Sequence, residues 1–220
     1  MDNLVIGGKG FIGSHLLQRF EADCIDLKDG QDAKRINELR RFKPKTIIHL
    51  GANLSPISDI DIQMHRTVLE FAKECDAHVI YTSSMAIHEP DNLYAVQKLY
   101  GEVLFKDYGI LRLCNVFGEG GHGIVDIIKN AKGTIEINGN GEQTRDFISV
   151  EDVVDAIIKA VDISWRGIAE IGTGDSLSIN ELLNRLGCFD YEYVNKSVGI
   201  RHSESEINND FPWKNMRGLE

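Results

Sequence analysis

Seven residues near the start of the chain, Gly7-Gly8-Lys9-Gly10-Phe11-Ile12-Gly13, constrain its fold more than any other stretch. They follow a short apolar run, Leu4-Val5-Ile6, and open a segment, Phe11 to Phe20, whose apolar residues recur at helical spacing. A passage from a buried strand to an amphipathic helix across glycines is the start of a strand–helix–strand unit. Glycines allow the backbone to approach a pyrophosphate closely, and the helix N-terminus adds amide donors and a partial positive charge. Gly7, Gly10, Phe11, Ile12 and Gly13 are therefore candidate contacts of a dinucleotide. An ordinary glycine turn is the competing reading, and the placement between strand and helix favours the dinucleotide. Cys24 to Leu27 is a second strand candidate, with Asp26 at its end. A carboxylate there accepts hydrogen bonds from both ribose hydroxyls and repels a 2′-phosphate, which indicates NAD rather than NADP. Asp32 is a further candidate for the ribose or the adenine. A solvated turn competes for both aspartates.

The rest of the chain alternates in the same way. Helical spacing appears over Ile36 to Phe42, before Pro44, and a β-branched run over Thr46 to Leu50. Ile62 to Lys73 reads as a helix, His78 to Thr82 as a strand, Tyr94 to Tyr108 as a helix and Ile110 to Leu113 as a strand. Strands alternating with helices predict an α/β protein with a doubly wound parallel sheet covered on both faces. After Gly118 the pattern loosens into a glycine-rich stretch, a helix near Ile124 to Ala131 and a strand over Thr134 to Asn138. Val150 to Val161 (helix) and Ile168 to Ile171 (strand) then read as a return to the main sheet. Ser178 and Glu181 form a capping-box pattern.

Composition narrows the function classes. A net charge of −10 over 220 residues argues against nucleic acid and anionic membrane as partners. It leaves room for an anionic small substrate, because a local arginine overrides the global field at close range. No apolar run approaches a membrane span, and a strand beginning at Asn3 leaves no room for a signal peptide. The four cysteines are scattered without a Cys-x-x-Cys pair, which fits buried free thiols in a cytoplasmic protein and no metal site. His49 and His65 read as packed histidines, not ligands.

Tyr94 and Lys98 stand one helical turn apart and follow a serine pair, Ser83-Ser84, at the end of a strand. A lysine beside a tyrosine favours the phenolate, so a lowered Tyr94 pKa is expected; a surface pair on an amphipathic helix is the alternative.

At this point the sequence resembles the extended short-chain dehydrogenase/reductase family, the NAD-dependent epimerase/dehydratase group acting on nucleotide sugars. The resemblance rests on GGKGFIGSHL at 7–16, Ile47 to Ala52, Tyr81 to Ser84, Tyr94 with Lys98 and Glu102, Leu111 to Gly118, GNGEQTRDFISVEDV at 139–153, and Ile171 to Gly174, in family order. It implies a Rossmann sheet with a small C-terminal substrate-binding subdomain. The implied organisation is an NAD-binding part at 1–118, a substrate-binding insertion at 119–147, a return at 148–174 and a reduced substrate-binding region at 175–220. It also implies that Leu50, Gly51 and Ala52 line the cofactor and that Tyr94 is the catalytic base. Lys98 lowers the pKa of that base and holds the nicotinamide ribose, Ser84 binds the reacting oxygen, and Asn115, Arg145 and Arg201 contact the diphosphate or sugar. Homodimers through two helices, here near 62–73 and 94–108, are a family habit.

The departures are informative. Only a short connection joins Ser84 to Tyr94, His88 stands where the family often has tyrosine, and Leu93 where it often has proline. Met85 and Ala86 follow Ser84, where dehydratases of the family carry an acid pair; neither can donate a proton, so dehydration is disfavoured. The resemblance thus implies an NAD-dependent epimerase of a nucleotide-diphosphate sugar. The alternatives are an NAD(P)H-dependent 4-keto-sugar reductase, or a minimal NAD-binding partner protein with little turnover.

Overall fold

The computed structural model describes residues 1–53, 60–195, 205 and 210–219. The first half runs β1 (Asn3–Ile6), α1 (Phe11–Arg19), β2 (Asp23–Ile25), the single turn α2 (Ile36–Leu39), β3 (Thr46–His49), α3 (Ile60–Cys75), β4 (His78–Ser84), α4 (Leu93–Leu104) and β5 (Gly109–Leu113). The second half continues with β6 (Asn115–Phe117), α5 (Ile124–Asn130), β7 (Ile135–Asn138), β8 (Thr144–Ser149), α6 (Val150–Asp162), β9 (Gly167–Ile171), β10 (Ser176–Ser178), α7 (Ile179–Arg185) and β11 (Tyr191–Val194).

Strands β2-β1-β3-β4-β5-β9 form one sheet in that order, every pair parallel. From β1 the chain steps to β2 on one side and then crosses to β3 on the other. That reversal opens a crevice outside the carboxyl ends of β1 and β3, where ligands of open α/β sheets bind. Period-two alternation explains why both faces are covered. Val5, Ile48, Ile80 and Leu111 point to one face and pack with Leu16 of α1 and Val153, Val154 and Ile157 of α6. Leu4, Ile6, Ile47, Val79, Tyr81 and Ile110 point to the other and pack with Val68, Phe71 and Ala72 of α3.

A three-stranded sheet, β10-β8-β6, and the parallel pair β11-β7 lie outside the main sheet around a smaller core that includes Phe117, Ile137, Phe147, Leu177 and Leu182. The capping box of Ser178 and Glu181 starts α7. Near the C-terminus, Phe211 packs on Trp165 with ring centroids 5.0 Å apart, and the amides of Met216 and Arg217 donate to the buried carboxylate of Asp152.

Two helices are shorter than their apolar spacing predicts. The segment from Ile36 stops at Leu39, and α4 stops at Leu104 because Phe105 leaves the helical path and buries completely in the core under Tyr81 and His49. Of the cysteines only Cys114 is buried; Cys24, Cys75 and Cys188 are partly so, and all four are free. No helix among the described residues is long and apolar enough to cross a membrane.

Within the core, His49 and His65 are packed as expected, and they form a pair. His49 Nε2 lies 2.8 Å from His65 Nδ1, and both rings pack beside the paired rings of Tyr81 and Phe105. Burial drives both imidazoles toward the neutral form, His49 well below its ordinary value and His65 to about 3, and the charge of Lys98 adds to the effect. Folded pKa values below the unfolded value mean that the unfolded chain takes up protons first. This contribution to stability is complete above the unfolded histidine pKa near 6.5 and is lost progressively as pH falls from there to the folded value, about 3 for His65. Between pH 6.5 and 5 the unfolding free energy measured in urea should fall by at most about 1.4 kcal/mol per pH unit for each of the two histidines. His65→Asn should flatten that slope, and an unchanged slope in the variant would contradict the assignment.

Candidate active site

The ends of β1 and β3 meet at the glycine loop. Gly7 has φ +81°, and a Cβ placed on it would lie 2.9 Å from the Gly51 nitrogen, so the loop runs against the backbone that leaves β3. A Cβ on Gly13 would fall onto the Gly7 carbonyl oxygen and 2.6 Å from the Gly8 Cα. Helix α1 starts at Gly10 with no side-chain cap, so its first amides remain for an acceptor brought by a ligand. A glycine-rich loop ending in an uncapped helix, with its Lys9 side chain turned away to Asp29, fits the pyrophosphate of a dinucleotide. Phe11 and Ile12 form the first turn of α1.

Asp26 sits beside this cradle. Its carboxylate accepts the amides of Lys9 and Lys28, each at 2.9 Å, so it lies at the edge of the loop. Asp32 is turned to its own segment: it accepts the Lys34 amide at 3.0 Å and lies 3.5 Å from the Lys34 Nζ. Leu50, Gly51 and Ala52 carry the chain out of β3 beside the loop, anchored by the Leu50 amide on the Ile6 carbonyl at 2.9 Å.

Ser84 ends β4 and caps the 3₁₀ turn Met85–His88, accepting the Ala86 amide at 3.2 Å. Asn92 caps α4 through the Ala95 amide at 2.8 Å, which places Tyr94 in the first helical turn. The Ser84 side chain acts on the Tyr94 phenol, favouring its ionised form. Strand alternation puts Ser83 on the other face, where it is buried. Of the two serines, then, Ser84 is the one that reaches the tyrosine.

Lys98 lies one turn along α4, 4% exposed, with Nζ 5.9 Å from the Tyr94 ring centroid and 5.2 Å from that of Tyr81. Its ammonium donates to the Thr82 carbonyl at 2.7 Å. Burial lowers its pKa to about 8, while the carboxylates of Asp61 and Glu102 pull the other way. The expected lowering of the Tyr94 pKa does not appear. Burial raises it, Ser84 opposes the rise, and Asp61 adds to it. The physical reason is burial: desolvation of the phenolate wins.

Around this group lies an ionic network that no spacing rule reveals. Arg112 of β5 grips Glu102 of α4 with two bonds at 3.0 and 2.9 Å and lies 3.4 Å from Glu170 of β9, which also meets His88 at 2.9 Å. Sequence reasoning also missed Asp61 at the start of α3, 3% exposed, whose carboxylate accepts the Asn53 amide at 2.9 Å.

Asn115 and Arg145 stand on adjacent strands, β6 and β8. The Asn115 amide donates to the Asp146 carbonyl at 3.0 Å, and the Arg145 guanidinium donates to the Thr144 carbonyl at 2.8 Å. Asp146 itself is fully buried and receives the amides of Thr173 and Gly174, fastening the turn after β9 to β8. Arg201 lies outside the described residues.

Comparisons with known proteins identify the family and the fold. The model of the NAD dependent epimerase/dehydratase family matches residues 3–170. A Methanocaldococcus jannaschii protein provisionally named UDP-glucose 4-epimerase is 30% identical, covering 90% of this chain and 83% of its own. A UDP-glucose 4-epimerase from Mycolicibacterium smegmatis is also 30% identical, over 83% of this chain and 80% of its own. Among solved structures, UDP-glucose 4-epimerase from Thermotoga maritima with UDP-glucose superposes with a TM-score of 0.86 at 22% identity, covering 100% of this chain and 95% of that one. The chain belongs to the NAD-dependent epimerase/dehydratase family.

Proposed function

We propose that this protein is an epimerase of a nucleotide-diphosphate sugar that works by transient oxidation at a sugar carbon, with NAD as its cofactor. The observation that carries the reading is the grouping of Ser84 at the end of β4 with Tyr94 in the first turn of α4 and Lys98 one turn behind it, its Nζ 5.9 Å from the Tyr94 ring centroid, at the carboxyl end of a sheet whose first loop is rich in glycine. The glycine loop, Asp26 and the Leu50–Ala52 stretch hold NAD, which supplies the ring that accepts and returns a hydride. Asp26 makes NAD the better fit than NADP, because a 2′-phosphate would meet its negative charge.

Tyr94 takes the proton from the sugar hydroxyl and gives it back. Ser84 hydrogen-bonds the same oxygen as its charge changes, and Lys98 holds the ribose and supplies positive charge. Ionising a buried phenol needs that charge, so the geometry of Lys98 limits the forward step. Arg145, Asn115 and Arg201 are the candidate diphosphate and sugar ligands, the arginines for their fit to paired phosphate oxygens. Met85 is buried in the core and Ala86 has no proton to give, which supports epimerisation over dehydration.

A reductase of 4-keto sugars is the second reading, favoured by one observation. The Tyr94 phenol is held protonated, the state needed to protonate an alkoxide. Incubation with UDP-, dTDP-, GDP- and CDP-sugars in the presence of NAD separates the readings. Redox-neutral interconversion supports the epimerase, net NAD(P)H consumption with a keto sugar supports the reductase, and NAD binding without any turnover supports a partner protein. Tyr94→Phe should lower kcat by about 10²- to 10⁴-fold with NAD binding retained. A variant with full turnover refutes the role of Tyr94.

The outer face of α4 supports a homodimer. Val96, Leu99 and Val103 are 46%, 40% and 64% exposed at helical spacing, next to the Arg66–Tyr100 contact from α3. An apolar stripe of this kind marks an interaction surface. Light scattering should find a dimer that Val96→Glu combined with Val103→Glu converts to monomer; a monomeric parent protein would exclude this interface.

A further inference from the structure

Lys98 is the only lysine in the buried set among the described residues. An ammonium so enclosed is costly unless an opposite charge answers it. The groups that face it come from three strands and two helices. From α4 come Tyr94 and Glu102; from β4, Tyr81 and the Thr82 carbonyl; from β3, His49; from α3, Asp61 and His65; and Arg112 of β5 stands behind Glu102. The two histidines and Tyr81 are neutral, since burial lowers the former and raises the latter. Glu102 is gripped at both oxygens by Arg112, so its charge is already answered. Asp61 is left. It is 3% exposed, forms no ion pair among the described residues, and accepts one hydrogen bond, from the Asn53 amide.

We propose that Asp61 is the counter-charge of Lys98, a positioning residue that keeps the ammonium protonated inside the site and so sets the upper pH limit of cofactor binding and turnover. Geometry brings the two to one place: His65, one turn along α3 from Asp61 and likewise buried, has its ring 5.2 Å from that of Tyr81, and the Lys98 ammonium lies 5.2 Å from the same Tyr81 ring. Each charge favours the ionised form of the other, Lys98 acting against the burial that raises the Asp61 pKa. Asp61 also opposes ionisation of Tyr94, so one carboxylate biases both working groups toward their protonated states. Its bond to Asn53 ties this charge to the stretch that follows Leu50–Ala52. A change at the cofactor wall and a change in the protonation of Lys98 are therefore linked. The proposal rests on the reading of Lys98 as the working cation of the site.

The test is the titration of Lys98 in the full-length protein, followed by NMR of ¹³C-labelled lysine. Asp61→Asn keeps an oxygen for the Asn53 amide and removes only the charge. The Lys98 midpoint, about 8 in the parent protein, should fall by about one pH unit or more in the variant. The alkaline limb of the NAD affinity should move down with it, and Asp61→Glu should restore both. Should Asp61→Asn fail to fold, Lys98→Met gives the reverse measurement: the Asp61 carboxyl should titrate at higher pH than in the parent. An unmoved Lys98 midpoint in Asp61→Asn, or an unmoved Asp61 in Lys98→Met, overturns the proposal. A shifted Lys98 with no turnover on any nucleotide sugar supports the charge pairing and counts against the epimerase reading alone.

Discussion

The approach of the Gly7 turn to the backbone at Gly51 makes one site out of separate strand ends. Parallel pairing of Ile6 with His49 brings β1 and β3 to the same level, and the left-handed Gly7 turn then lets the loop lie flat on the chain that leaves β3. A side chain at Gly7 would strain the turn and push the two loops apart. With the loops in contact, α1 directs its uncapped first turn at the crevice. The parallel neighbours β4 and β5 continue the row of carboxyl ends as far as Ser84. Ser84, Tyr94 and Lys98 and the glycine loop owe their proximity to register, not to any direct bond between them.

Behind the trio the interior is electrically balanced in layers. The His49–His65 pair stays neutral, the Glu102–Arg112–Glu170 group closes on itself, and Lys98, on the proposal above, is answered by Asp61 of the neighbouring helix α3. Each layer is a different answer to the cost of burying polar groups: loss of charge, direct pairing, or pairing at a distance. The third leaves the ammonium adjustable, which suits the role proposed for Lys98.

Much of this was legible from residues alone. The glycine loop and the alternating strands announce themselves through local pattern, because each depends on spacing within a few residues; Ser84, Tyr94 and Lys98 stand out only through the family resemblance, since a tyrosine and a lysine one turn apart are common by themselves. The short strands β6, β10 and β11 hold only three or four residues each, too few to show a period, and exist through pairing with distant partners. Strand β8 begins with the polar Thr144-Arg145-Asp146, which hides its apolar second half. The end of α4 was missed because Phe105 fits the helical spacing yet serves the core better by leaving the helix. Asp61 resembles a solvated first-turn acid in sequence; only the packing of α3 on α4 gives it a buried partner. The direction of the Tyr94 shift turned on the burial of its phenol, which spacing does not encode.

Calorimetric titration with NAD and NADP side by side is the most direct measurement of the central claim that the glycine cradle and Asp26 hold NAD against Ser84, Tyr94 and Lys98. The account predicts saturable binding of one NAD per chain, with NADP weaker because its 2′-phosphate meets Asp26. Absence of NAD binding, or equal affinity for the two dinucleotides, would contradict it.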